Sequence, residues 1–271
     1  MGAPLPAVVQ AVDSDRSDGG EAAARAHAVA AYAQEVAALG RQIAMPFVAV
    51  SADLSSPDPM VDSEGRPFAE TLFRWLDPSV EYWKDRSFAL KAPFVLAARF
   101  LAEPFYFAHG QLATWRPSGA LRMIEAARSA ADHGIGSAII APTHLSGGVI
   151  GMVVWASPTT ELDVPATFDR WADRLHASAL RFMSAYHDAR GKLPSPGISQ
   201  LTRREIQCLK WASVGKTDQT IGELLAISEP TVRFHLRNAA AKLGVCGRSQ
   251  AVREAAALGY IGLGHNPARR A

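Results

Sequence analysis

The sequence predicts an α+β chain in two units: an N-terminal α/β/α sandwich built on an antiparallel sheet, followed by an all-α unit of four helices. Three observations lead there. Residues 201–262 hold four runs of apolar residues at 3.6-residue spacing, each bounded by a capping residue or a glycine. Residues 21–190 alternate helix-period stretches with short β-rich runs, among them Ile135–Pro142 and Val149–Ser157 on either side of Gly147-Gly148, the pattern of a hairpin. Between the two lies Gly191–Gln200, GKLPSPGISQ, with the Pro, Gly and Ser content of a linker.

Taken in order, residues 1–20 carry Pro, Gly, Ser and Asp with little to bury and are expected to be a disordered tail. An Ala-rich helix follows from about Gly20 to Leu39, then a strand over Pro46–Ala52 and a loop over Ser55–Pro67. A helical stretch at Pro67–Trp75 leads into irregular or helical structure through Ala98. Strands are predicted at Phe105–His109 and Gln111–Arg116, and one helix from Ser118 to Asp132. After the hairpin, a long helix over Pro165–Arg190 closes the unit. Residues 263–271 form a C-terminal tail.

The second unit is read from its caps. Thr202 stands three residues before Glu205, a capping box opening a helix that buries Ile206, Leu209 and Ala212 and stops at Gly215. Thr217 caps a short helix whose apolar face is Ile221, Leu224 and Leu225. The Ala226-Ile227-Ser228 turn then leads to a third helix, with Ser228 as its cap and Val232, Leu236, Ala239 or Ala240, and Leu243 on one stripe. Gly244 ends it, and a fourth helix, roughly Ser249–Leu258, packs Ala251, Val252, Ala255 and Leu258.

Two short helices joined by a tight turn, with cations on the outer side of the second, suit a helix placed in the major groove of double-stranded DNA. Arg233 and Arg237 are i and i+4 neighbours beside Asn238, so both reach one stretch of base edges. A bidentate arginine–guanine pair discriminates by about 1–3 kcal/mol. Thr231, His235, Lys242, Lys216 and Arg248 are candidates for phosphate contacts, which set register without reading sequence. Charge agrees: residues 201–271 have eleven Lys and Arg against five acids, or +6, in a chain of formal net charge +2, which leaves −4 for residues 1–200. The plain alternative is a helical bundle with a solvated basic face.

The segment resembles the LuxR-type helix-turn-helix over nearly its whole length. The likeness is carried by Leu201-Thr202 with Arg204-Glu205, by Gly215-Lys216-Thr217, by the run from Ser228 through Thr231-Val232-Arg233 to His235-Leu236, and by Lys242-Leu243-Gly244-Val245. It departs at Thr220-Ile221-Gly222, where the family usually has Glu-Ile-Ala, and a mid-helix Gly costs up to about 1 kcal/mol relative to Ala. Phe234 is an apolar side chain on or near the predicted DNA face. The resemblance implies a transcription regulator, a pseudo-palindromic operator read by a homodimer, and contact with RNA polymerase.

The first unit is similar to the autoinducer-binding domain that accompanies this helix-turn-helix in quorum-sensing regulators. The His133–Pro142 run resembles that family's strand entry, and Pro93 aligns with the Pro of its Asp-Pro pair, a register supported by Pro104-Phe105. That register puts Trp83 and Phe107 where the family has pocket aromatics, Ala92 in place of its Asp, Ser79 in place of a Trp and Ala138 in place of a Gly. In the family the Asp accepts from the ligand amide and the Trp donates to the lactone carbonyl; losing a partner of a buried polar group costs roughly 1–3 kcal/mol. A standard acyl-homoserine lactone is therefore disfavoured. The rings of Trp83, Phe88, Tyr106, Phe107 and Trp115, with Ser79 and Ala92, are the candidate lining for a small, more apolar signal. The same rings serve equally as core, and a unit that only dimerises or binds a protein stays open.

Composition bounds the rest. A chain of 271 residues, 48% hydrophobic and 20% charged, is ordinary for globular protein, and no apolar run nears the ~18 residues that span a membrane. Cys208 and Cys246 give no disulfide framework, which suits a cytoplasmic chain. His109, His133, His144, Asp132 and Ser146 are too scattered for a triad, Gly147–Gly151 lacks the Lys-Ser/Thr of a phosphate loop, and neither His133 nor His144 has a metal-ligand neighbour. No enzyme, cofactor or metal is expected.

Overall fold

The computed structural model describes residues 13–56, 58–76, 92–190 and 201–262, which fall into two compact units. The first contains α1 (Asp13–Gln42), β1 (Phe47–Ser51), α2 (Phe68–Thr71), α3 (Pro93–Phe100), β2 (Phe105–Ala108), β3 (Gln111–Ala113), α4 (Gly119–Arg122), α5 (Ala127–Asp132), β4 (Ser137–His144), β5 (Ile150–Ser157) and α6 (Val164–Ala189). Its five strands form one antiparallel sheet in the order β1-β5-β4-β2-β3.

Helices cover both faces of this sheet, so the central strands are buried throughout and read as nearly continuous apolar runs. Period-2 alternation divides each strand between the two faces. On β5, Val153 and Trp155 join the cluster under α1 and α6, while Met152, Val154 and Ala156 join the cluster under α3, α4 and α5. On β2, Tyr106 and Ala108 pack on the α1/α6 side, and Phe105 and Phe107 on the α3 side. Trp155, fully buried, fixes α1 to the sheet: its indole Nε1 donates to the Val36 carbonyl at 2.9 Å. β4 and β5 are joined by a 3-10 turn at Ser146–Gly148, where Gly147 has φ 81° and Gly148 φ 75°, as the Gly-Gly pair implied.

Several boundaries differ from expectation; the helical stretch expected over Pro67–Trp75, for one, is only Phe68–Thr71. The helix expected from Gly20 extends back to Asp13, and only residues 1–12 of the expected tail lie outside the described residues. The strand expected to reach Arg116 ends at Ala113. The single helix expected over Ser118–Asp132 is two pieces. Leu121 and Ala126 are both buried on the α3 side, yet five positions place them about 140° apart around one helix, and the break between α4 and α5 lets both face the core.

The second unit is α7 (Arg203–Ser213), α8 (Asp218–Leu225), α9 (Glu229–Lys242) and α10 (Arg248–Ala257), around a core of Cys208, Leu209, Ile221, Val232, Leu236, Ala239, Ala251 and Ala255. Leu224, expected on the buried face of its helix, is 49% exposed; the interior position goes to Gly222. The linker Gly191–Gln200 and the tail 263–271 lie outside the described residues.

Candidate nucleic-acid interface and sensor face

The helix-turn-helix is set by its caps. Thr202 and Glu205 form the capping box that opens α7: the Glu205 amide donates to the Thr202 hydroxyl at 3.3 Å, and the Thr202 amide donates to Glu205 Oε2 at 2.6 Å. Glu205 is 3% exposed, and Lys242 Nζ, from the end of α9, donates to the same Oε2 at 2.9 Å. Burial alone raises the Glu205 carboxyl, but the Lys242 ammonium and the Thr202 amide and hydroxyl outweigh it, so it stays ionised below the usual 4.5. One carboxylate thus ties the start of the first helix to the end of the third.

α8 and α9 are joined by a turn whose pivot is Ala226, in the left-handed region at φ 53°, ψ 48°. The Ile227 amide donates back to the Gly222 carbonyl at 3.0 Å, which brings the turn over Gly222. A Cβ at Gly222 would lie 2.6 Å from the Ile227 carbonyl oxygen, so the glycine that costs helix propensity is what admits the turn at this distance. Thr217 and Ser228 cap α8 and α9 by accepting from the amides of Thr220 and Thr231.

On α9, Val232, Leu236, Ala239 and Ala240 are buried, while Arg233, Phe234, Arg237 and Ala241 are exposed and Asn238 is half-buried. Arg237 therefore stands outward, next to Asn238. Arg233 stands outward too, but it is engaged: Nη2 donates to Glu229 Oε1, and Nε lies 3.7 Å from Asp218 Oδ2. Phe234, 51% exposed, turns its ring edge-on to His235 at 5.7 Å. The Thr231 hydroxyl is 2.7 Å from that of Ser228. Two cations expected at phosphates have partners inside the unit instead. Lys242 is paired with Glu205; Arg248 donates from Nη1 to Asp218 Oδ1 and from Nη2 to the Lys216 carbonyl. Lys216 itself is half-buried between α7 and α8. Sequence spacing did not reveal Asp218 or Glu205 as organisers, because their partners lie 30 and 37 residues away.

The residues shortlisted for ligand binding do not converge on one face. Phe107 and Ala92 are both buried in the α3-side cluster, with Phe94 5.7 Å from Phe107 and Trp75, Ile140 and Met152 in the same cluster. Tyr106 points to the opposite face of the sheet and meets Phe168 at 5.0 Å. Trp115, 47% exposed, also packs on Phe168 at 4.9 Å. A strand cannot turn adjacent residues to the same face, and Trp115 shares Tyr106's contact with Phe168, so these two rings lie apart from Phe107. Trp75 and Phe94 lie in the cluster of Phe107. Ser79, Trp83 and Phe88 lie outside the described residues. Ala92 is the N-cap of α3, 7% exposed and without a side-chain cap, beside a depression of about 20 Å³ lined by Pro93, Ala126, Ser129, Ala130 and His133.

Two of the three histidines weighed as catalytic, His133 and His144, have structural partners. His144 Nε2 sits 3.1 Å from the carbonyls of both Ala98 and Leu101, and His133 Nδ1 is 2.7 Å from that of Ser129. No helix among the described residues is long and apolar enough to cross a membrane.

A sheet covered by helices on both faces and a capped helix-turn-helix define the class: an α/β/α unit and a helix-turn-helix unit in one chain. Comparison relates both to known families. Residues 199–255 match the bacterial regulatory proteins of the luxR family, and residues 61–186 match the autoinducer binding domain. In these two stretches the chain is similar to luxR-type regulatory proteins. It is 33% identical over 133 residues to the transcriptional activator protein VanR of Vibrio anguillarum, covering 48% of this chain and 53% of that one. It is 34% identical over 146 residues to the transcriptional activator protein SolR of Ralstonia nicotianae, covering 51% and 59%. The chain thus spans about half the length of the curated relatives it matches, and their names are those of regulators rather than enzymes. Among solved structures it is similar to Escherichia coli SdiA at 18% identity, over 86% of this chain and 91% of that one, with a TM-score of 0.44.

Proposed function

We propose that this protein is a sequence-specific DNA-binding transcription regulator whose N-terminal unit senses a small apolar molecule other than a standard acyl-homoserine lactone. The observation that carries the DNA reading is α9 itself. A helix introduced by a tight left-handed turn buries one stripe and presents Arg233, Arg237 and Asn238 along the other. One such helix reads few base pairs, so we infer a homodimer on a pseudo-palindromic operator, working with RNA polymerase. Lys216, Thr231 and His235 remain the candidates for phosphate contact; Arg248 and Lys242 act within the unit.

The ligand reading rests on Ala92. Where a lactone amide would need an acceptor, the α3-side face offers a methyl group beside Phe94 and Phe107, surroundings that favour an apolar ligand. The alternative is a unit that only dimerises or binds a protein.

Selection of duplexes from a random pool by the full chain tests the DNA reading. Enrichment of a two-fold-related sequence that Arg237→Ala abolishes supports it; retention of no sequence over any other refutes it. Thermal unfolding with acyl-homoserine lactones and with apolar extracts separates the ligand readings, since a ligand at about 100 times its Kd adds roughly 2.7 kcal/mol. A shift with common lactones refutes the altered specificity. No shift with either favours the ligand-free alternative.

A further inference from the structure

The residue that stands straight out from α9 is neither of its arginines but Phe234. At about 100° per residue, the buried stripe of Val232, Leu236, Ala239 and Ala240 centres about 180° from Phe234. On the same count Arg237 and Asn238 flank it at about 60° and 40° on opposite sides, while Arg233 lies about 100° round the helix. Along the outer ridge, Pro230 one turn before and Ala241 two turns after are exposed and carry no polar side chain. Phe234 is 51% exposed, and its ring meets that of half-buried His235 edge-on at 5.7 Å. The centre of the outer face is thus apolar, with the hydrogen-bonding side chains of Arg233, Arg237 and Asn238 at its shoulders.

We propose that Phe234 is a further specificity-determining residue, which reads a thymine through its C5-methyl group in the major groove. This rests on the DNA reading above. A phenyl ring offers no hydrogen bond to a phosphate. Against the polar edge of guanine, cytosine or adenine it would strip water and put nothing in its place, which costs free energy. Thymine alone presents an apolar group in that groove, and contact with it removes apolar surface of both partners from water. Arginine suits guanine and asparagine suits adenine, so Arg237, Asn238 and Phe234 would read three different bases from one face of the helix. Phe234 adds a preference that the cations cannot supply, because it depends on a methyl group and not on charge.

The test uses the full chain and the duplex it enriches from a random pool. Each thymine in that duplex is replaced in turn by deoxyuridine, which keeps the hydrogen-bonding edge and lacks the methyl group. Only the DNA changes, so this arm needs no variant protein. At one position affinity should fall about three- to fivefold, the change expected for one methyl-sized apolar group. In Phe234→Ala, which leaves the buried stripe of α9 intact, the same replacement should make no difference. Wild type weakened by added salt to the affinity of that variant should still distinguish the two duplexes. A methyl group that acts through the shape of the duplex would affect both proteins alike. No position at which deoxyuridine matters, an equal fall in wild type and Phe234→Ala, or loss of the distinction in salt overturns the proposal while the DNA reading stands. If the wild-type chain enriches no sequence, the DNA reading fails and this inference fails with it.

Discussion

Lys242 offers the sharpest test of the structural reading, because sequence spacing and structure assign it different work. On spacing alone it is a phosphate contact; in the structure its ammonium is 2.9 Å from Oε2 of Glu205, a carboxylate only 3% exposed. The perturbation is Lys242→Met, which keeps the apolar stem and removes the charge. Glu205 would then retain the Thr202 amide and hydroxyl and lose its counter-charge. A hydrogen bond to a charged group contributes about 1.5–3 kcal/mol. The Lys242 side chain is 38% exposed and water takes over part of its role, so the lower half applies, about 1.5–2 kcal/mol. Since each 1.4 kcal/mol is tenfold in an equilibrium constant, opening of the helical unit should become about 10–30 times more frequent. Hydrogen exchange followed by mass spectrometry on the full chain reads this directly in peptides from α7 and α9, with α1 and α6 as internal references. Affinity for a scrambled duplex should fall little, and its salt slope should hold. Unchanged protection together with a salt slope reduced by about 0.9 would refute the reasoning and return Lys242 to the phosphates.

Gly222→Ala gains up to about 1 kcal/mol of helix propensity but sets a Cβ 2.6 Å from the Ile227 carbonyl oxygen; Gly222→Val adds β-branching to the same collision. Urea unfolding should show the valine variant destabilised by about 2–3 kcal/mol, with alanine between it and wild type. His176 is held below its usual 6.5 chiefly by burial, with repulsion from His144 adding to this and the Pro142 carbonyl and Asp173 opposing it. Its folded value lies under its unfolded one, so its contribution is complete above about pH 6.5 and is lost as pH falls through the folded value. The urea midpoint of the first unit should therefore drop more between pH 7 and 5 in wild type than in His176→Asn. Ala92→Asp places a carboxylate at the N-cap of α3, where it can accept from helix amides and strengthen the cap by about 1 kcal/mol. The variant should gain a thermal shift with acyl-homoserine lactones that wild type lacks; a wild-type shift of equal size would show that the acceptor is not needed.

What the sequence made legible follows from range. The caps at Thr202, Thr217 and Ser228 and the Gly147-Gly148 turn act within three or four residues, so their chemistry is written locally, and the structure has each where its spacing implied. Strand existence was also legible, and the alternation that separates Tyr106 from Phe107 was available in the sequence. Aromatic content by itself does not assign a ring to a face. The division of the helix at Met123–Ala126 was not legible, because it answers to two burial demands set by the tertiary core. Nor were the partners of Lys242 and Arg248. A basic residue on a helix looks the same in sequence whether it faces phosphate or a carboxylate 37 residues away.

That ambiguity bears on how a basic surface is read. Of the four cations nearest the reading face, Arg233, Lys242 and Arg248 each have a carboxylate partner, and Arg237 stands apart. The surplus of +6 over residues 201–271 already sets Glu205, Asp218 and Glu229 against a cation each, so these pairs leave the net charge unchanged and lower only the local charge at Lys242, Arg248 and Arg233. A lower local charge weakens binding to all sequences alike, while Arg237 still stands outward. For a protein that must find one operator among many competing sites, suppressing the general term raises the ratio that matters more than adding another lysine would.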